Sequence, residues 1–305
     1  MHLQPEINEI AFDSRGTRCA AWHLSAGSDA LQRPEGRPCV VMAHGMMGTR
    51  DSGLLPYARA FTDAGLDVLL FDFRYLGTSL GQPRQLVSFS AQHHDYGAAV
   101  GCARGLAGVD PARIVLWGTS YSGGHVIAHA AADAQIAAAI AQVPGVDALA
   151  GVRAILAQAG MLGLARLTAH GLRDLAGAAL GQEAHRIPVF GPPGSLALST
   201  SPDGEPGFAA IAGPSYRNEA CARIVLTSAV YRPIRQASRV RCPLLIQIAE
   251  RDAVVPTGPA KQVASSTAGP AELCSYPIEH FDIYLGKWRE RAIVDQLDFV
   301  RRHLT

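Results

Sequence analysis

A mostly parallel β-sheet flanked on both faces by helices, an α/β fold class, is what this 305-residue sequence predicts. Three observations carry the expectation. Short apolar runs alternate with helical patterns along most of the chain. The runs are apolar at consecutive positions rather than at every second one, the mark of strands buried on both faces. The alternation lapses after Pro144 and resumes at Cys242, which reads as one fold with a single insertion.

Taken in order, "EINEIAFD" and "TRCAAWHLS" read as two strands around an "SRG" turn. After the loop "RPEGRP", the run "CVVMAHG" is a buried strand ending in glycine. "GLLPYARAFTDAG" has helical periodicity and stops at Gly65. "LDVLLFDFR" is a strand, "FSAQHHDYGAAVGCARGL" a helix, "RIVLWG" a strand, "GGHVIAHAAADA" a helix and "IAAAIAQVP" the sixth strand. Residues 147–240 break the rhythm. "VDALAGVRAILAQAGMLGLARLTAHGLRDLAGAAL" is rich in Ala and Leu and helical, "GPPGSLALSTSPDGEPG" is turn-rich, and "NEACARIVLTSAVYRPIRQAS" reads as helix again. This predicts a largely helical cap over 147–240, set into a core formed by 1–146 and 241–305. The core resumes with the strands "CPLLIQIAE" and "AELCSYP" and closes on the amphipathic helix "KWRERAIVDQLDFVRRHL".

Composition narrows the function classes. Hydrophobic residues make up 48% and charged residues 17%, enough for a sizeable core and against disorder. A formal net charge of +1 gives nucleic acid no electrostatic footprint. "MHLQPEINEI" lacks the apolar stretch of a signal peptide, and no uncharged run approaches the roughly 18 apolar residues of a membrane span. The six cysteines are scattered, without metal-ligand spacing, so they read as small buried residues in a reducing cytoplasm.

Two stretches resemble the sharp turn that presents a catalytic serine. "GTSLG", Gly77 to Gly81, matches G-x-S-x-G letter for letter; "GTSYSGG", Gly118 to Gly124, does not. The turn needs a strand before it, small residues two places to either side, and a helix starting at once. Ser79 fails, because "LGQPRQL" follows with Pro83 and no helix start. Ser120 fits: strand Arg113 to Trp117 precedes it, Gly118 and Ser122 flank it, and a helix opens at Tyr121. Ser122 as nucleophile would force the helix to begin on Gly123 and Gly124, poor helix formers. Ser122 is instead expected to bond the local backbone.

A serine nucleophile needs a base and an acid to orient the base. "LLIQIAERDAVVP" puts Asp252 just past one buried strand, and "CSYPIEHFDIY" puts His280 just past the next. The order Ser, Asp, His, each at the C-terminal end of a parallel strand, is the order this chemistry takes in an α/β sheet. Glu250 and Asp147 are the rival acids; Glu250 is expected to point away from the strand end, and Asp147 follows another strand end. For the oxyanion, the backbone N–H groups of Tyr121 and of Met46, in "VVMAHGMMG", are the natural donors. His44 reads as a structural hydrogen-bonding residue.

With these residues in this order, the chain resembles the α/β-hydrolase superfamily: "MAHG", "FDFRYLGTS", "LWGTSYSGG", "AERDAVVP" and "EHFD". It is most similar to bacterial esterase-like serine hydrolases and fungal polyketide transferases whose elbow reads G-T-S-[FY]-S-G-G-H. It also resembles the dienelactone hydrolase and X-Pro dipeptidyl peptidase groups. The resemblance implies a Ser120–His280–Asp252 triad with Met46 and Tyr121 as oxyanion donors, and it leaves out 147–240. Two departures stand out: Ser122 where glycine is common, and Tyr75 in "RYLG" where glycine is usual. A serine at the elbow makes an acyl-enzyme, unlike the aspartate of dehalogenases and epoxide hydrolases of this fold. The expected activity is a cytoplasmic ester or thioester hydrolase acting on a small-molecule substrate with a small-to-medium acyl group, apolar as the cap composition suggests, and with no metal or organic cofactor. The alternatives are an acyltransferase using the same triad, a C–C bond hydrolase and a non-catalytic binding protein. A mobile 191–207 loop, open to water, favours hydrolysis over transfer.

Overall fold

The structure is a computed structural model and describes residues 7–228 and 230–304. β1 (Ile7–Ser14) and β2 (Thr17–Leu24) form an antiparallel hairpin turning on Arg15 and Gly16, both at positive φ. The chain then alternates: β3 (Arg37–Ala43), α1 (Leu55–Asp63), β4 (Asp67–Phe71), α2 (Phe89–Arg104), β5 (Val109–Thr119), α3 (Tyr121–Ala132) and β6 (Ile136–Gln142).

Between β6 and the next sheet strand lie α4 (Ala148–Ala179), the two-residue strand β7 (Arg186–Ile187), α5 (Gly204–Ala209), β8 (Ala220–Cys221), α6 (Ile224–Ser228) and a 3-10 turn over Pro233–Arg239. β9 (Leu244–Ala249), α7 (Thr257–Ala264), β10 (Ala271–Tyr276) and α8 (Gly286–Leu304) complete the chain.

The main sheet has 8 strands in the order β1-β2-β4-β3-β5-β6-β9-β10. β1, β2 and β4 pair antiparallel, and every pair from β4 to β10 is parallel. This is an α/β-hydrolase fold. The unbroken apolar runs are explained by position: every residue of β4 and of β9 is buried, because helices cover both faces.

A buried polar network ties the strand ends together below the β5–α3 turn. Gln296 of α8 donates to Gln142 of β6 (2.9 Å) and Gln247 of β9 (2.6 Å), and accepts from the Trp117 indole (3.0 Å). Gln142 in turn donates to Thr119 Oγ1 (3.2 Å), and Thr119 also bonds the Tyr284 hydroxyl. Each buried amide is partnered, so the low dielectric strengthens the network rather than penalising it. The network fixes the residue immediately before Ser120.

The segment between β6 and β9 departs from its sequence reading in three places. α4 is two helices meeting at Gly160 (φ 66°, ψ −176°), with a 119° bend. The stretch 218–238, expected as one helix, contains a short strand, five residues of helix and a 3-10 turn. Long-range bonds override its local pattern: Cys221 N–H donates to Gln85 C=O (2.8 Å) and Ala222 N–H to His185 C=O (2.9 Å). The 191–207 stretch, expected as a loose loop, is tied at its centre while 192–195 stay exposed. Leu198 and Ser199 N–H bond the carbonyls of Pro188 and Val189 (3.0 and 2.9 Å), and Phe190 N–H bonds Asn218 Oδ1 (2.9 Å).

Candidate active site

The β5–α3 turn forces Ser120 to φ 54°, ψ −118°, a conformation that costs a non-glycine residue energy and persists only where surroundings fix it. Here they do. Ser120 N–H bonds Gln142 C=O on β6 (2.8 Å), and Ser120 C=O accepts from Gly123 and Gly145 N–H (3.1 and 2.8 Å). The turn is so tight that a Cβ on Gly118 would lie 2.4 Å from the Ser122 carbonyl oxygen, and one on Gly124 2.4 Å from that of Gly145. Glycine is obligatory at both.

Ser122 is fully buried, and its hydroxyl is committed. Its Oγ donates to Ala43 C=O at the end of β3 (2.7 Å) and accepts from Thr119 N–H (2.9 Å). It staples the turn to the neighbouring strand, which a glycine could not do. Ser79 is likewise spent on structure, donating to Asp72 C=O (2.6 Å) and accepting from Ala20 N–H (2.8 Å). The other departure, Tyr75, sits at φ 71°, which explains why glycine suits that position. Its ring lies against Gly81, where an added Cβ would come within 2.6 Å.

Ser120 Oγ is 3.1 Å from His280 Nε2, and His280 Nδ1 is 2.6 Å from Asp252 Oδ2. The second carboxylate oxygen accepts from the N–H groups of Val254 and Val255 (2.9 and 2.6 Å), which fixes the carboxylate plane. The side chains of His280 and Asp252 are each 2% exposed. Both rival acids are bonded to other groups, although Asp147 borders the cavity. Glu250 accepts from Ser275 Oγ at the surface (2.8 Å). Asp147 caps α4 through Leu149 N–H (3.1 Å) and forms a two-pronged ion pair with Arg232 (2.8 and 3.0 Å).

Gly45 to Gly48 form a turn closed by a 3.1 Å bond, with Met47 at φ 58°. Met46 occupies the first central position, whose N–H stays outside the turn's own bond. Tyr121 is the first residue of α3, whose N–H has no partner within the helix. Both residues border the same cavity as Ser120 and His280. His44 is buried and donates from Nδ1 to Gly45 C=O (2.8 Å); burial pushes its pKa down, so it stays neutral.

The cavity measures about 220 Å³. Beyond the polar end at Ser120 its wall is apolar and comes largely from the segment after β6: Ile155 and Leu167 of α4, Phe190, Phe208, Ile211 and Val225. Phe208 stacks on Phe190 (5.2 Å) and meets Phe281, the neighbour of His280, edge-on (5.9 Å). Sequence reasoning did not single out these wall residues. The apolar run "IPVF" is a signal for one of them, but the spacing of the others follows no helix or strand period.

A strand-to-helix serine turn beside a buried histidine–aspartate pair, on a mostly parallel sheet, defines a hydrolase-type α/β enzyme. The chain belongs to the family described as serine aminopeptidase, S33, whose model matches residues 34–278. Among its relatives is the quorum-quenching protein AidA of Acinetobacter baumannii, 38% identical over 96% of this chain and 94% of that one. The thiohydrolase aneE of Aspergillus aculeatus is 40% identical over a shorter stretch, 36% of this chain and 35% of its own length. The crystal structure of the alpha/beta hydrolase GrgF from Penicillium sp. sh18 superposes with a TM-score of 0.82. It covers 98% of this chain and 99% of its own at 23% identity, a likeness of fold.

Proposed function

We propose that the protein is a serine hydrolase that cleaves an ester or thioester of an apolar acyl group through an acyl-enzyme on Ser120. The observation that carries this is the line Ser120–His280–Asp252, with contacts of 3.1 and 2.6 Å, at the mouth of an apolar cavity. His280 Nε2 takes the Ser120 proton as Oγ attacks the acyl carbon. Asp252 holds the ring and stabilises the imidazolium. The Met46 and Tyr121 N–H groups receive the oxyanion. The imidazolium then protonates the leaving oxygen or sulfur. Water, deprotonated by His280, releases the acid and restores Ser120. Residues 147–240 act as the cap that walls the acyl site. The names of the thiohydrolase and quorum-quenching relatives support a substrate panel of thioesters and quorum signals.

The test is reaction with a fluorophosphonate probe followed by peptide mapping. Label on Ser120, blocked by a slowly turned-over acyl ester, is the expected result. Label on Ser122, or none on folded protein, would falsify the reading.

Acyl transfer by the same triad is the second reading. The bonds at Phe190, Leu198 and Ser199 favour it, since they tie down the wall that a loose lid would leave open to water. Partition of a thioester between free acid and alcohol or amine products separates the two.

A further inference from the structure

The second half of α4 is apolar on both sides. Its inner side is accounted for: Leu164 and Leu167 face the cavity, and Asp174 is buried in an ion pair with Arg223 (2.6 Å). Its outer side carries Leu162, Ala165, Ala169, Leu172 and Ala176, spaced by three and four residues and therefore one stripe along the helix. All five are exposed. Leu162 is 64% exposed and Leu172 54%, with Met161 at 75% and Leu180 at 74% beside them. Among the described residues no single helix is long and apolar enough to cross a membrane; the two halves of α4 reach that length and apolarity only taken together across their 119° bend. The inner side of the second half is already occupied as cavity wall, so the outer stripe calls for a cover.

Charge distinguishes the possible covers. Arg166 and Arg173 are exposed along one flank of the stripe, and Arg153 is exposed on the preceding half of α4. The one carboxylate of the helix, Asp174, is already held by Arg223. A second copy laid antiparallel on this stripe would bring arginine flank against arginine flank, with no helix acid to pair them. An anionic bilayer complements both features: leucines enter the acyl boundary while arginines meet phosphate groups.

We propose that the outer face of α4, around Leu162 and Leu172 with Arg166 and Arg173, docks the protein on an anionic lipid surface. The other side of the same helix walls the cavity. On the hydrolase reading above, docking therefore sets the acyl site beside the medium in which apolar acyl substrates dissolve. The docking itself is read by binding, so its failure and the failure of the hydrolase reading are separable.

The experiment is co-sedimentation of the full chain with phosphatidylglycerol–phosphatidylcholine vesicles and with phosphatidylcholine alone. The wild type is expected on the anionic vesicles, less so as salt rises. Leu162→Glu/Leu172→Glu and Arg166→Glu/Arg173→Glu should each lower partitioning about tenfold or more. All four side chains are exposed and outside the cavity wall, so circular dichroism and turnover of a short soluble ester should stay unchanged. Absence of wild-type association, or association indifferent to both double variants, overturns the proposal. So does a lipid-free dimer by analytical ultracentrifugation that Leu162→Glu/Leu172→Glu makes monomeric.

Discussion

The β5–α3 turn and the segment between β6 and β9 meet at one cavity but present opposite surfaces to it, one polar and locally fixed, the other apolar. The turn is over-determined. Ser120 is held by three backbone bonds, by glycines that admit no Cβ, and by the Ser122 staple to β3. The segment is tied down by bonds to distant parts of the chain, but what it turns toward the cavity is apolar side chains, with Phe190 and Phe208 packed on each other and on Phe281. Reacting atoms need positions fixed to fractions of an ångström, which directed bonds supply. A wall for an apolar chain needs only shape and dryness. On the proposed reading the chemistry is therefore rigidly specified, and the substrate is set by a surface that other side chains could fill.

The largest effect should come from the turn. Ser120→Ala and His280→Ala are each expected to lower kcat for a short p-nitrophenyl ester by at least about three orders of magnitude, since triad members act as a unit. Asp252→Asn should retain more, and Asp147→Asn should keep most activity, because that carboxylate is paired with Arg232. Ser122→Ala is expected to cost about 1–3 kcal/mol of stability by leaving Ala43 C=O and Thr119 N–H without their partner. Denaturant titration beside ester kinetics checks the set. A dead Ser122→Ala, or a crippled Asp147→Asn beside an active Asp252→Asn, would break the contrast at its stronger end.

The same contrast explains what the sequence shows. An over-determined turn leaves local marks: a strand, small flanking residues and an immediate helix start. Asp252 and His280 are legible through the order in which strand ends succeed one another. The wall is not, because its constraints lie far apart in the chain, as in Cys221 N–H to Gln85 C=O. The break in α4 is equally silent. Gly151, Gly163, Gly171 and Gly177 stand in the same Ala/Leu-rich pattern as Gly160 and stay helical. A mid-helix glycine costs only about 1 kcal/mol, so tertiary contacts choose which one bends.

A smaller effect is expected from the wall. Phe208 is 7% exposed and borders the cavity. Phe208→Ala should reduce kcat/KM for a long-chain acyl ester about tenfold relative to the acetyl ester, the scale of losing part of an aromatic burial. Phe208→Leu, which preserves more packing, should fall between. An equal loss on both esters would mean that Phe208 acts through Phe281 on His280 instead of on the acyl chain.

The smallest effect tests where the two regions join. His125, fully buried on α3, accepts at Nδ1 from the Tyr231 hydroxyl (2.6 Å), and Tyr231 lines the cavity. Its Nε2–H donates to Gln92 Oε1 (3.0 Å), while His93 and His129 lie 3.2 Å apart beside it. Burial pushes all three histidines down, His93 to about 4 and His129 to about 3, with each other's charge adding to the effect on His125 and His129. The unfolded chain binds these protons near pH 6.5, whereas the folded chain refuses them until far lower. Stability is then whole above pH 6.5 and declines as pH falls toward 4, where the folded protein begins to accept protons itself. Thermal unfolding should therefore shift down by about 5 °C between pH 7 and pH 4.5. His129→Gln, which removes one of the titrating groups, should flatten that slope. Because the readout is unfolding rather than turnover, it is independent of His280 acting as a base. A melting temperature equally pH-dependent in His129→Gln would show that the acid loss arises elsewhere, and that the join at His125 and Tyr231 is not the weak point under acid.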